Sequence, residues 1–241
     1  MSLLSNRRVK LGIRAGGLCA ALLSRWPVQR RLARVDRAWP AGTPAPAPAT
    51  ALAAPLEQLL TELATTAPLR GLALDVEVSD ALVHLDVAAG DFAGHSEQQL
   101  ESVTRACFRD LLGEAIAEHD LRWQLQADER HLLMCALPRA LLDQLKTAAA
   151  SHGLRLRSVH TRFQAGWNRR CALLGSGLAI FASGHDDHTV IAFVRDGVVE
   201  ALSSSSCPAD LEDPDAPAPG VDRLLNSLGL EKAATPTRLD A

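Results

Sequence analysis

The chain has 241 residues, of which 47% are apolar and 22% charged, and its formal net charge is −3. That length supports one large or two small domains without metal or disulfide staples. The charge balance excludes an intrinsically disordered chain and a protein that holds nucleic acid by bulk charge.

In chain order, the first signal is a pair of β segments over residues 8–24, broken at Gly16-Gly17, a dipeptide that supplies a tight hairpin turn. The apolar run at 18–23 is far shorter than the ~20 residues of a membrane span. It follows Arg7, Arg8 and Lys10, but Arg14 interrupts the apolar segment and no clean cleavage pattern follows, so no signal peptide is expected. Residues 29–35 supply a third strand. Residues 40–50 repeat proline and alanine, a composition that favours an extended, exposed tether dispensable for folding.

Leu56, Leu59, Leu60 and Leu63 recur at helical spacing and predict a short helix with one buried face. Residues 72–78 and 82–87 alternate like strands joined at Ser79-Asp80. Ser96 with Gln99 forms a capping-box pattern, continued by Leu100, Val103, Cys107, Leu111, Leu112 and Ala115 as an amphipathic helix. A strand at 131–136 leads to Pro138, placed as the first residue of a helix that turns Leu141, Leu142 and Leu145 inward and stops at Gly153. A strand at 154–160 and a short helix at 161–170 follow, with Phe163 and Trp167 as core anchors.

Three strand-like runs then come in quick succession, at 177–183, 189–194 and 198–203, and their short turns predict an antiparallel meander. A Ser, Pro and Asp-rich loop, a helix at 221–230 and a flexible tail over 231–241 complete the reading.

The five cysteines, Cys19, Cys107, Cys135, Cys171 and Cys207, are scattered without a C-x-x-C pair and read as reduced core thiols. The turn His185-Asp186-Asp187-His188 holds metal-ligand types, but at the spacing of a solvated hairpin tip, so no metal is expected. No serine or cysteine lies in a nucleophile-elbow pattern. Arg25, Arg30, Arg31, Arg34 and Arg37, interleaved with Trp26 and Trp39, form the one local charge asymmetry, either a solvated strand face or a contact for acidic lipid headgroups or an acidic partner segment.

Two β meanders with helices between them resemble the actin-like fold built from ribonuclease-H-like halves. More specifically, Val76-Glu-Val-Ser-Asp-Ala-Leu-Val83, Ala136-Leu-Pro-Arg-Ala-Leu-Leu142, Gly153-Leu-Arg-Leu-Arg-Ser-Val159 and Trp167-Asn168 resemble the pilus-assembly PilM proteins and the cytoplasmic domain of type II secretion GspL proteins. The resemblance covers roughly residues 8–204. It implies an α/β protein of mixed sheets with flanking helices, a first actin-like half over 1–170 with the Pro/Ala-rich insertion at 40–50, and a truncated second half with its meander over 171–230.

Nucleotide-binding members of the family carry an acidic residue, glycine and hydroxyl residues in the first hairpin, because phosphate and Mg²⁺ need backbone N–H donors and a carboxylate. Here Gly12, Arg14, Gly16 and Gly17 occupy that stretch, and arginine cannot hold Mg²⁺. Ala182, Ser183 and Gly184 are the closest match to the opposing loop, with alanine at its acidic position.

The resemblance therefore implies a degenerate, non-catalytic member without a nucleotide cofactor. It would be cytoplasmic or peripheral at the inner membrane, with no membrane span and no nucleic-acid partner. It would bind the cytoplasmic segment of an inner-membrane assembly protein, with Arg14, Arg31 and Arg34 as contacts, and self-association is left open. The alternatives are a divergent actin-like ATPase and a small regulatory or oligomerising domain unrelated to secretion.

Overall fold

Alternation of apolar and polar residues builds the first hairpin. The computed structural model describes residues 7–14, 16–24, 30–39, 51–174, 176–185, 188–205 and 237–240. In β1 (Arg7–Arg14), Val9, Leu11 and Ile13 are buried on one face. β2 (Gly17–Ser24) pairs antiparallel with it from Arg7↔Ser24 to Arg14↔Gly17, so only residues 15 and 16 lie outside the ladder. β3 (Arg30–Ala38) pairs antiparallel with β2, and the register shift between Leu22↔Ala33 and Leu23↔Arg31 leaves Leu32 as the extra residue of a bulge. The expected tether at 40–50 and the helix at 221–230 lie outside the described residues, as do Arg25, Trp26 and Cys207.

α1 (Ala53–Thr66) buries Leu56, Leu59, Leu60 and Leu63 as a single stripe packed on β2 and β3. β4 (Ala73–Val78) returns parallel to β1. The chain does not then turn back as a hairpin at Ser79-Asp80. A single 3₁₀ turn at Asp80–Leu82 carries it away, and β5 (His84–Ala89) joins a different sheet. The alternation was real, but it says that a segment is a strand and not which strand it pairs with.

By its contacts the chain divides into two compact units that interleave in sequence, residues 1–82 with 138–161 and residues 83–137 with 162–241. The first unit is completed by α3 (Arg139–Ser151) and β8 (Arg155–Thr161), giving the order β3-β2-β1-β4-β8. Pro138 ends the preceding strand and caps α3 rather than opening it. Leu141, Leu145, Ala148 and Ala149 are buried, whereas Leu142 is only half-buried. Glu57 of α1 ties to the C-terminus of α3, accepting from Ser151 Oγ at 2.7 Å and meeting His152 Nε2 at 2.8 Å.

In the second unit, α2 (Glu97–Leu112), β6 (His119–Leu125) and β7 (His131–Pro138) follow β5, and the sheet order is β5-β7-β6. The capping box of Ser96 and Gln99 forms as expected. The buried stripe of α2 is Leu100, Thr104 and Phe108, however, and Leu111 is 60% exposed. Phe108 fixes this register, because the largest apolar side chain takes the centre of a core with Phe92, Leu121, Leu132 and Met134.

α4 (Arg162–Arg170) precedes the meander of β9 (Leu178–His185), β10 (His188–Arg195) and β11 (Val198–Ser205). Phe163 and Trp167 stack with ring centroids 6.4 Å apart, and both meet Phe181 edge-on at 5.6 and 5.5 Å, so the anchoring role read for them holds. Within the stretch read as a tail, β12 (Thr237–Asp240) runs parallel to β9, giving β11-β10-β9-β12. An antiparallel meander followed by a strand parallel to its first member is also the arrangement β3-β2-β1-β4. The same topology thus appears twice.

Candidate functional site

A phosphate loop offers several backbone N–H groups that no strand has claimed, with a carboxylate nearby for the metal ion. In the first hairpin, Gly12 lies within the ladder opposite Cys19, and a Cβ added there would come within 2.7 Å of Cys19 Sγ. Its glycine thus serves the packing of β1 on β2. Arg14 is the last residue of β1, and its carbonyl accepts the Trp39 indole N–H at 3.1 Å. Gly16 is exposed in the turn and its carbonyl accepts the Trp39 backbone N–H at 3.3 Å. Gly17 is pressed against β3, where a Cβ would collide with the Arg37 carbonyl oxygen. Trp39 therefore closes the hairpin end, and no aspartate or glutamate stands among these residues.

In the second hairpin the register runs as far as His185↔His188, and residues 186 and 187 lie outside the described residues. Ala182, Ser183 and Gly184 sit inside the ladder opposite Ile191, Val190 and Thr189, and Ala182 also faces Asp240 of β12. Ala182 and Ser183 are buried. In the repeated topology, the residue that matches Arg14 as last before the turn is His185. Of the four-residue cluster considered for metal binding, His188 is half-buried, and that burial lowers its pKa so that the neutral imidazole is favoured.

The three arginines expected to contact a partner do converge. Arg34 grips Asp36 in a two-bond fork, Nε to Oδ2 at 2.5 Å and Nη2 to Oδ1 at 2.6 Å. The Arg34 hydrogen bond holds the Asp36 carboxyl below the usual carboxylate range, and the charges of Arg34, Arg14 and Arg31 add to it. Asp36 was not singled out in the sequence, although Arg34-Val-Asp36 places both side chains on one face of a strand.

Further along the same sheet, Asp75 lies between two strands of cations. It accepts from Arg157 at 2.7 and 2.5 Å and from Ser158 at 2.9 Å, with Arg8 at 3.4 Å. Desolvation pushes its carboxyl up, but the Arg157 and Ser158 hydrogen bonds and the charges of Arg157 and Arg8 outweigh it, and the net pKa is lowered. A carboxylate whose folded pKa is depressed adds stability above its unfolded pKa and loses it as pH falls through the folded value. Asp75→Asn is therefore expected to cost about 1–2 kcal/mol at pH 7 in urea titrations. The gap to wild type should begin to narrow as pH falls through the unfolded carboxyl's value of about 3.9 and should close only below the lower folded value.

The four described cysteines are half-buried, not deep in the core. Among the described residues, no helix is long and apolar enough to cross a membrane, and no group of three or more His, Cys, Asp or Glu is placed to hold a metal ion.

No protein-family model matches the chain, and no curated protein matches its sequence. Solved structures do. A chain of the PilM-PilN type IV pilus biogenesis complex is similar with a TM-score of 0.62 at 17% identity, covering 93% of this chain and 66% of that one. The cytoplasmic domain of EpsL, an inner-membrane component of the type II secretion system of Vibrio cholerae, gives 0.55 at 11% identity, covering 98% and 82%. A protein of unknown function with an actin-like ATPase fold from Bacteroides thetaiotaomicron gives 0.57 at 9% identity, covering 95% and 79%. This chain therefore spans about two thirds of the length of the PilM-PilN chain it matches. At these identities the likeness is one of architecture, and together with the repeated strand topology it identifies the fold as actin-like, of the kind seen in the pilus and type II secretion assembly proteins that the sequence resembles.

Proposed function

We propose that this chain is a non-catalytic scaffold that binds the cytoplasmic segment of an inner-membrane protein in a pilus or secretion assembly. The observation that supports it most is the closure of the first hairpin, whose ladder runs in register as far as Arg14↔Gly17, with Trp39 bonded to the carbonyls of Arg14 and Gly16. A hairpin so closed offers phosphate little unclaimed backbone, and its side chains offer Mg²⁺ no carboxylate. Gly12, Arg14, Gly16 and Gly17 are read as the remnant of one phosphate loop, and Ala182, Ser183 and Gly184 as the remnant of the other. The division into a first half to residue 170 and a shortened second half over 171–230 belongs to the same proposal.

In this reading the protein works at the cytoplasmic face of the inner membrane, uses no nucleotide, and presents Arg14, Arg31 and Arg34 to its partner. The fold shared with a chain of the PilM-PilN complex and with the EpsL cytoplasmic domain supports a protein partner of this kind. Purified protein is expected to show no magnesium-dependent ATP hydrolysis above a heat-denatured control. Turnover that disappears when Gly16 and Gly17 are replaced would sink the scaffold reading in favour of a divergent ATPase.

A further inference from the structure

β3 is the outer strand of its sheet, and among the described residues no strand pairs with its free side. Unpaired N–H and C=O groups along such an edge are a template for another chain, which proteins normally blunt with charge or a bulge. β3 has both devices, but they act in different places. The bulge at Leu32 interrupts the strand near its start, whereas Ala33 to Ala38 run in regular register against β2 from Leu22 to Gly17. The charge is one-sided: the strand reads RRLARVDRA, with four arginines and one aspartate. Leu32, 47% exposed beside Arg31, adds an apolar contact where the regular run begins.

This composition selects the occupant. A second copy of the chain would bring an equally basic strand against this one, and like charges placed across a strand pair are unfavourable. An acidic segment would neutralise it. Arg34 and Asp36 alternate on one face with Arg14 and Arg31 close enough to act on the Asp36 carboxyl, so a carboxylate is already the guest of this cluster. On the other face Arg37 is held by Gln58 and Glu62 of α1, at 3.2 and 3.1 Å. It is committed to the protein's own packing.

We propose that β3 binds an extended acidic segment of the partner protein by strand addition along residues 33–38, and that Asp36 acts as a built-in competitor for Arg34. The inference rests on the scaffold reading and names its docking mode. Backbone hydrogen bonds supply affinity independent of sequence, and the arginines select carboxylates at alternate positions of the incoming strand. Asp36 sets the threshold: a partner must offer enough negative charge to displace an intramolecular fork, which discriminates against neutral strands.

The test uses the full chain and a synthetic peptide of about ten residues that alternates Glu with Val or Thr, the length of a long strand, followed by fluorescence anisotropy at low ionic strength. Binding is expected for this peptide and not for its Lys counterpart or for a version N-methylated at alternate amides. Arg31→Glu with Arg34→Glu should weaken it at least about tenfold, and Asp36→Asn should tighten it about three- to tenfold. All three positions are exposed, so the variants are expected to fold, as circular dichroism will verify. Equal binding of the N-methylated peptide would overturn strand addition. Weaker binding by Asp36→Asn would overturn the competitor role, and a dimer that dissociates on Arg34→Glu would assign the edge to a second copy. ATP turnover in the same preparation separates the two levels: its presence rejects the scaffold reading, whereas absent peptide binding without turnover rejects only the β3 assignment.

Discussion

Alanine at Gly17 is expected to destabilise the protein by about 3 kcal/mol or more, whereas alanine at its neighbour Gly16 should change stability by less than about 1 kcal/mol. The two glycines are adjacent in sequence and look interchangeable as turn formers. Gly17 has φ of +156° and pairs with Ala38 of β3, so a Cβ meets the Arg37 carbonyl oxygen and, at 2.9 Å, the Ala38 Cα. Both obstacles are backbone and cannot swing aside as a side chain would. Relief requires β3 to move away, which breaks the Gly17↔Ala38 and Leu18↔Arg37 pairing and with it the seat of Trp39 on the hairpin end. Around Gly16 the space is open. Urea midpoints of the two variants at a shared slope measure the difference. A Gly17→Ala protein as stable as Gly16→Ala would mean that the hairpin end is not packed as described, and the argument that it leaves no phosphate loop would fall with it.

That argument illustrates where the sequence is informative and where it stops. Gly16-Gly17 marks a hairpin, and the hairpin forms. What decides between a phosphate loop and a closed turn is the number of residues left out of the ladder, and this depends on register, which neighbouring strands impose. Gly12 and Gly17 are demanded by Cys19 and by Arg37, residues 7 and 20 positions further along the chain. Elements whose signal is local were legible: the Leu stripe of α1, the capping box of α2, and the alternation of β1, β2 and β9 to β11.

Elements whose identity comes from their partners were not. β6 was passed over although Leu121, Trp123 and Leu125 alternate, because Arg122 and Gln124 between them give the segment a polar average. β12 has four residues and owes its extended form to β9. Asp36 draws its place in the arginine cluster from Arg14 of β1 as well as from Arg31 and Arg34 of its own strand, a pairing across strands that local spacing does not encode.

Phe181→Ala is expected to be the most damaging single truncation in the second meander, at about 3–5 kcal/mol. Phe181 is fully buried in β9, the strand flanked by β10 on one side and β12 on the other. Its ring receives the edges or faces of Phe163 and Trp167 from α4, so the truncation removes two aromatic contacts, each worth about 0.5–1.5 kcal/mol beyond burial, and leaves a cavity that strands cannot collapse to fill. If the repeated topology is built on its own core, the damage should be local in native-state hydrogen exchange. Amides of β9, β10 and β11 should lose protection by the full destabilisation, while the most protected amides of β1 and β2 lose less, because contiguous cooperative units open separately when their cores are distinct. Uniform loss across both meanders would show that the two halves unfold as one, and repetition of the strand topology would then carry no independence of stability. The contrast between Phe181→Ala and Gly17→Ala, one aimed at each copy of the same topology, makes the comparison within a single protein.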